Sequence, residues 1–475
     1  MPALPRAHPQ PAPPPAPAAA AARPASFDWP LAFDAETFLR QRLESFLQRN
    51  RAARLLARRM QDETGTDFFD WMDHLVLAPE DEKPLRDLGF ASDPAAATRG
   101  ELVLKHPRAL LPRVRVPKAA GRHAAVIALR PESVADFAAA HSLAGPIEGD
   151  PFGRLRRVVV SEQQGTRLEA VERNGCAGFV PAPLPAAQLK KIIRAQDLWR
   201  TRPRHGASVR AGFAAANAAL DEILRSIGPD LACQLFFAEE RRYWEARNRA
   251  AQIQKRRQDR LGLGWGNHDH HTLRCSREYF VEVIQFLLRL GFVKRERFYA
   301  GAEAGWGAQI SEQPAAGIVV FADVDLMPGE TQIDFSTTKL PPAPRLGTVG
   351  LWTALHGESF LEAGLHHLEA RFDFELLRGQ LQAEGVATMK PFSDFKFLRQ
   401  AFTEGERWPV PAERAEKLLQ AGLITREQRE KFVREGALGS HLENLQRRGG
   451  FKGFNQKSVS VIISATDPRA ANFGA

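Results

Sequence analysis

The sequence predicts an α+β protein built from repeated strand–helix–strands units with added helices. Three observations lead there. At four places in the 475 residues a short apolar strand, beginning near a histidine, runs into a helix of about three turns. Each helix is followed by further β-rich sequence, which separates the pattern from a doubly wound parallel sheet. The helices are punctuated: Pro79, Pro131, Ser276 or Asp373 opens each, and Gly89, Gly291 or Gly385 stops three of them.

Taken in order, residues 1–26 are almost entirely Pro and Ala with a few Arg, and too poor in large apolar side chains to offset the entropy of ordering. They are expected to be a disordered tail. Residues 27–205 read as an N-terminal α+β domain. It opens with a helix over 34–60, where Phe38, Leu39, Leu43, Phe46 and Leu47 share one face behind an Asp34 N-cap. The first unit follows at His74 to Leu77 and 79–88, and the second at His123 to Leu129 and 131–141, with a strand at 157–160. Residues 206–261 read as a helical connector whose many arginines, Arg241, Arg247 and Arg257 among them, form a solvated face. Residues 262–475 hold the third unit, from His270 through a helix over 276–290 to a strand over 315–325. The fourth runs from His366 through a helix over 373–384, and a last strand is expected over 458–464.

Composition narrows the functions. With 44% hydrophobic and 25% charged residues the chain is not mostly disordered. No run reaches the ~18 apolar residues of a spanning helix, so no membrane partner is expected. Three cysteines without a C-x-x-C pair argue against a disulfide framework or thiolate zinc site and fit a reducing cytoplasm. The net charge of +9 is interspersed with acids, so nucleic acid is not an expected partner. The glycine-rich run Gly301 to Gly307 lacks a P-loop lysine.

The chemistry concentrates in the C-terminal units. Residues two and four apart on a strand share a face, so His270 shares one with Arg274, and His367 with Arg371. An imidazole gives a lone pair to a metal, and a guanidinium beside it forks onto a ligand carboxylate. Packing does not require that pair twice. Glu443, in Ser440-His-Leu-Glu443-Asn-Leu-Gln-Arg447, is the candidate third ligand. Two histidines and one carboxylate are the ligand set of non-haem Fe(II) oxygenases. Asp323 and Asp325 share a face as well, either as ligands or as the wet side of an edge strand. His74, His123, His141 and His205 read as solvated. With no H-x-x-x-R pair, the N-terminal half reads as a metal-free copy or lid.

The run Asn267-His-Asp-His-His-Thr-Leu-Arg274, its helix to Leu-Gly-Phe292 and Val293-Lys-Arg-Glu296 resemble the first metal-binding strand and helix of the 2-oxoadipate dioxygenase/decarboxylase family, of the vicinal-oxygen-chelate superfamily. The family's His-x-x-x-Arg falls on His270 and Arg274, its second histidine on His367, and the leading Glu of its Glu-x-x-x-Arg run on Glu443. The resemblance covers residues 262–464. It implies a mononuclear Fe(II) enzyme that uses O2 to convert a small 2-oxo acid into a hydroxy acid with loss of CO2. In it His270, His367 and Glu443 hold the metal and Arg274 a substrate carboxylate; Arg371 is assigned the same task from strand geometry alone. The doubled histidines leave the register open, with His271 or His366 as the other choices. The alternatives are a non-oxidative lyase or isomerase of the same superfamily using Zn(II), Mn(II) or Ni(II), and a non-catalytic protein binding an acid or nucleic acid.

Overall fold

A computed structural model describes residues 29–96, 100–119, 123–299, 305–455 and 459–469; the expected tail lies outside them. The chain opens with helices α1 (Phe33–Arg49) and α2 (Arg51–Arg59). The helix expected over 34–60 is divided at Asn50, whose extended backbone breaks it while its side chain accepts the Ala53 N–H and starts the next. Strand β1 (Met72–Val76), helix α3 (Glu82–Asp87) and strands β2 (Ala91–Ser92), β3 (Glu101–Lys105) and β4 (Arg113–Pro117) form the first unit. The second is β5 (Ala125–Leu129), α4 (Val134–Ala140), β6 (Leu155–Gln163) and β7 (Thr166–Arg173). Four helices follow: α5 (Ala186–Thr201), α6 (Val209–Ile227), α7 (Pro229–Glu245) and α8 (Arg249–Asp259).

The third unit is β8 (His268–Arg274), α9 (Phe280–Arg289), β9 (Val293–Tyr299), β10 (Trp306–Gln313) and β11 (Ile318–Asp325). Helix α10 (Thr348–His356) leads to the fourth: β12 (His367–Arg371), α11 (Phe374–Ala383), β13 (Ser393–Phe395), β14 (Leu398–Phe402) and β15 (Glu406–Trp408). Helices α12 (Ala412–Gln420) and α13 (Arg426–Glu435) come before its last strand, β16 (Ala437–Arg447), and helix α14 (Val459–Thr466) ends the described chain. Gly89, Gly291 and Gly385 sit at φ of +90°, +85° and +74°, the left-handed stop that a side chain resists.

Among the described residues the strands make two mixed sheets, and the fold is α+β as expected. The order is β2-β3-β4-β1-β5-β7-β6 in one and β13-β14-β16-β12-β8-β11-β10-β9 in the other, with β15 on the side of β16. In every unit the first strand pairs in parallel with the last: β1 with β4, β5 with β7, β8 with β11, β12 with β16. The two units of each sheet join antiparallel, β1 to β5 and β8 to β12. The four-fold sequence repeat is thus one sheet built twice.

Three expectations are corrected. The helical stretch begins at Ala186, not 206, and is more than a connector: Trp199, Phe236, Phe237 and Trp244 share one apolar core with Leu273, Leu368 and Leu442 of the C-terminal sheet. Its arginines are not all solvated. Arg241 is 2% exposed and pairs with Glu132 at 3.1 Å, tying the helices to the N-terminal half, and Arg257 is also buried. Residues 459–464 are helical rather than a strand; a short apolar run fits either period, and here the helix gives Ile462 and Thr466 to the cavity lining instead of adding a strand to the sheet.

Candidate metal centre

Alternation along three central strands builds the centre. On β8, Leu273 joins the helix-side core, so Thr272 and the flanking His270 and Arg274 face the other way. On β12, Leu368 and Ala370 belong to the core, while His367 and Glu369 face the cavity; on β16 the division falls between Leu442 and Glu443. Register then aligns the groups. Glu369 is opposite His270 across β8–β12 and opposite Glu443 across β12–β16. The ligand atoms of His270, His367, Glu369 and Glu443 all lie within 4.8 Å of one another, in one buried cavity.

His367 Nε2 lies 3.1 Å from Glu443 and 2.9 Å from Thr272 Oγ1, and His270 Nε2 contacts Glu369. Gln400 on β14 donates one amide to both acids, at 3.1 Å to Glu369 and 3.0 Å to Glu443. Behind His270, Asp269 accepts from its Nδ1 side at 3.2 Å and receives Arg447 through two bonds of 3.0 and 2.9 Å. A register break at Asp269 in the β8–β12 ladder supplies the extra residue that turns this carboxylate inward.

Burial sets the charge states. It holds His270 below the ordinary imidazole range and, with Arg274, His367 down to about 3, so both rings are neutral donors. Burial also raises Glu443 to about 7 against the pull of His270. Glu369 is pushed well above the carboxylate range by burial and then by Glu443 and Asp269. Two buried acids sharing one amide donor beside two neutral imidazoles are costly by themselves and fit a divalent cation. The donor set of nitrogen and oxygen suits a first-row transition metal.

Arg274 lines the same cavity. Its terminal nitrogens donate to Thr466 of α14, at 3.2 Å to the carbonyl and 2.7 Å to the hydroxyl, and its Nε has no hydrogen-bond partner. Burial lowers its guanidinium to about 10. Asp323 stands nearby with Oδ1 unpartnered, raised by burial to about 7. Phe298, Trp306, Phe321, Phe392, Phe402 and Phe454 close the walls.

Not every candidate residue comes here. Arg371 does not line the cavity, contrary to the expectation from strand parity. Asp269 fills the space between it and His270, and the Arg371 Nε lies 3.6 Å from that carboxylate. His271 points to the helix side, edge-on to Phe237 and 3.3 Å from Arg241. His366 borders the cavity, but its Nδ1 lies 2.9 Å from His367 Nδ1, and with His367 and His441 it forms a second buried histidine cluster. Asp325 is neither ligand nor wet edge: it accepts the N–H groups of Gly347, Val349 and Gly350 at the start of α10. His74 is buried, not solvated, and bonds Asp73 at 2.7 Å. Glu369 and Gln400 were not anticipated; Glu369 had a legible signal, two residues beyond His367 on the same face.

No protein-family model matches the chain, and no curated protein matches it. Among solved structures, it is similar to a mutant of 4-hydroxymandelate synthase from Streptomyces coelicolor at 16% identity, covering 85% of this chain and 98% of that one, with a TM-score of 0.28. Methylmalonyl-CoA epimerase from Mycobacterium tuberculosis is similar at 12% identity, over 38% of this chain and 88% of that one, with a TM-score of 0.22. The Shigella flexneri protein YdcJ is similar at 12% identity, over 50% and 72%, with a TM-score of 0.23. With TM-scores this low, the likenesses carry no argument, and the functional reading rests on the centre's own geometry.

Proposed function

We propose that this chain is a mononuclear non-haem Fe(II) dioxygenase that decarboxylates a small 2-oxo acid, of the 2-oxoadipate dioxygenase/decarboxylase kind. One observation carries the reading: His270, His367 and Glu443, from three different strands, gather in a single buried cavity that also contains Arg274. The three would hold the metal, and the metal supplies redox chemistry toward dioxygen and a point of attachment for the acid. Asp269 and Gln400 orient His270 and Glu443. Among the described residues Arg274 is the only lysine or arginine lining the cavity, so it serves one carboxylate beyond the one at the metal, which suits a dicarboxylic 2-oxo acid. Substrate would replace the Thr466 contacts on its guanidinium. The aromatic walls exclude water from the reacting chain.

Elemental analysis followed by O2 uptake, after anaerobic loading with Fe(II), tests this against a panel of 2-oxo acids. Uptake matched by CO2 release, lost in Arg274→Ala with metal retained, is expected. Stoichiometric metal with no uptake for any acid overturns the oxidative reading.

A second reading has a specific observation in its favour. Glu369 offers a fourth protein ligand, leaving fewer open positions than a chelating acid and dioxygen together use. That supports a non-oxidative lyase or isomerase, with Zn(II), Mn(II) or Ni(II) as Lewis acid. Glu369→Gln separates the two: uptake and metal are kept if this acid is not a ligand, whereas the lyase reading predicts weaker metal binding and no uptake in either form.

A further inference from the structure

We propose that the cleft between the two halves is a second binding site, for a small polyanion with two or more carboxylate or phosphate groups, held by Arg130, Arg371 and His268. The cleft is lined from both sheets. It lies on the opposite side of Asp269 from the metal cluster, and its ligand need not be the substrate.

The charges are unbalanced in a specific way. The two central acids are already saturated: Asp73 receives Arg173 through bonds of 2.6 and 2.8 Å as well as His74, and Asp269 receives Arg447 and His270. Arg130 and Arg371 therefore find no carboxylate within hydrogen-bond distance among the described residues. Arg130 has one bond, from a terminal nitrogen to the Ala316 carbonyl at 2.9 Å. Burial lowers it to about 10, and Arg173, Arg113 and Arg241 add to that against the pull of Asp73. Arg371 has an Nε without a hydrogen bond among the described residues, its nearest carboxylate, Asp269, standing 3.6 Å away and already doubly bonded by Arg447. Asp70 also lines the cleft, but burial and Asp67 push it to about 7, which makes it a poor counterion.

His268 adds an imidazole in the same cleft: it is 8% exposed, and its Nδ1 has no hydrogen-bond partner among the described residues. Two guanidiniums, one from each half, lining the same cleft as an unsatisfied imidazole nitrogen make a preformed site for oxyanions. A single oxyanion would fill little of the space, and the cleft suits a ligand whose other charged groups reach Arg113 or Arg154.

Isothermal titration of the full chain as purified, with tricarballylate and fructose 1,6-bisphosphate at matched ionic strength, tests the site and tells carboxylate from phosphate. One equivalent of at least one of them is expected to bind. Arg130→Gln and Arg371→Gln should each weaken it by about tenfold or more, with the metal content of Arg130→Gln unchanged. If Arg130→Gln fails to fold, by circular dichroism, His268→Ala reads the same contact. Binding of neither anion at 10 mM, or binding that survives Arg130→Gln and Arg371→Gln but disappears in His367→Ala, overturns the proposal. The last result would locate the anion at the metal cavity, whatever reaction that cavity performs.

Discussion

In the N-terminal sheet, Asp73 and His74 stand on β1 at a register break against β5; in the C-terminal sheet, Asp269 and His270 stand on β8 at the same kind of break against β12. His74 is opposite Ala128, which is opposite Glu169; His270 is opposite Glu369, which is opposite Glu443. Four residues on from each glutamate an arginine, Arg173 or Arg447, doubly bonds the aspartate. The halves part on one strand. Where β12 has His367 and Glu369, the matching positions of β5 are Val126 and Ala128. The remaining N-terminal groups are spent on each other: His74 Nε2 lies 3.3 Å from Arg115, and Glu169 pairs with Arg167 at 2.8 Å. The Asp–Arg brace is therefore a structural device of both halves. The proposed metal-binding capacity would come from two polar side chains on a single strand, placed where the other half has apolar ones.

The largest expected effect comes from erasing that difference. His367→Val copies Val126 into the C-terminal sheet and should remove stoichiometric metal and lower turnover by well over 100-fold, roughly the scale beyond what outer groups control. Metal analysis of the folded variant checks it, and retained metal would end the distinction between the halves.

Next, Asp73→Ala and Asp269→Ala should each cost about 3–5 kcal/mol in urea unfolding, since each leaves a buried arginine unpaired. Only Asp269→Ala should also weaken metal, by about 10–100-fold in a competition titration. An equal metal loss in Asp73→Ala would mean that the N-terminal brace serves the centre too.

Asp323→Asn sharpens the electrostatic side. Its carboxyl rises from 3.8 to about 7 in the fold, so its stabilising contribution is full below the unfolded value and lost as pH climbs through 7. The variant should gain on the order of 2–4 kcal/mol at pH 8, shrinking toward zero near pH 4. A gain independent of pH would contradict an acid held in its neutral form.

The smallest effect is expected from the converse graft. Val126→His should not create a second metal site, because Arg115 and Arg167 already occupy His74 and Glu169. Two metals per chain would show that one ligand was all the N-terminal half lacked.

The fold and the core of the centre were legible because both depend on short-range rules. Alternation set His270 and Arg274 on one side of β8, and His367 on the matching side of β12. Helix stops at Gly89, Gly291 and Gly385 marked three of the four units. Arg371 was misjudged because parity says which side a residue faces, not what already stands there, and the bulge at Asp269 puts a carboxylate in its path. Arg241 and His74 read as solvated for a related reason: a charged or polar residue looks exposed until its partners are known, and here Arg241 meets Glu132 from far along the chain, while His74 meets an Asp73 that distant Arg173 holds buried.

By itself, then, the sequence determined the repeated α+β units, the strand faces and the order of the two histidines and the glutamate, since periodicity and punctuation act within a few residues along the chain. Only the tertiary structure decided that Glu369 and Gln400 join the centre, that α14 delivers Thr466 to Arg274, and that Arg130 and Arg371 line one cleft. Those contacts depend on strand register and on how two sheets pack, and register is fixed by the sum of many remote contacts that no local stretch encodes.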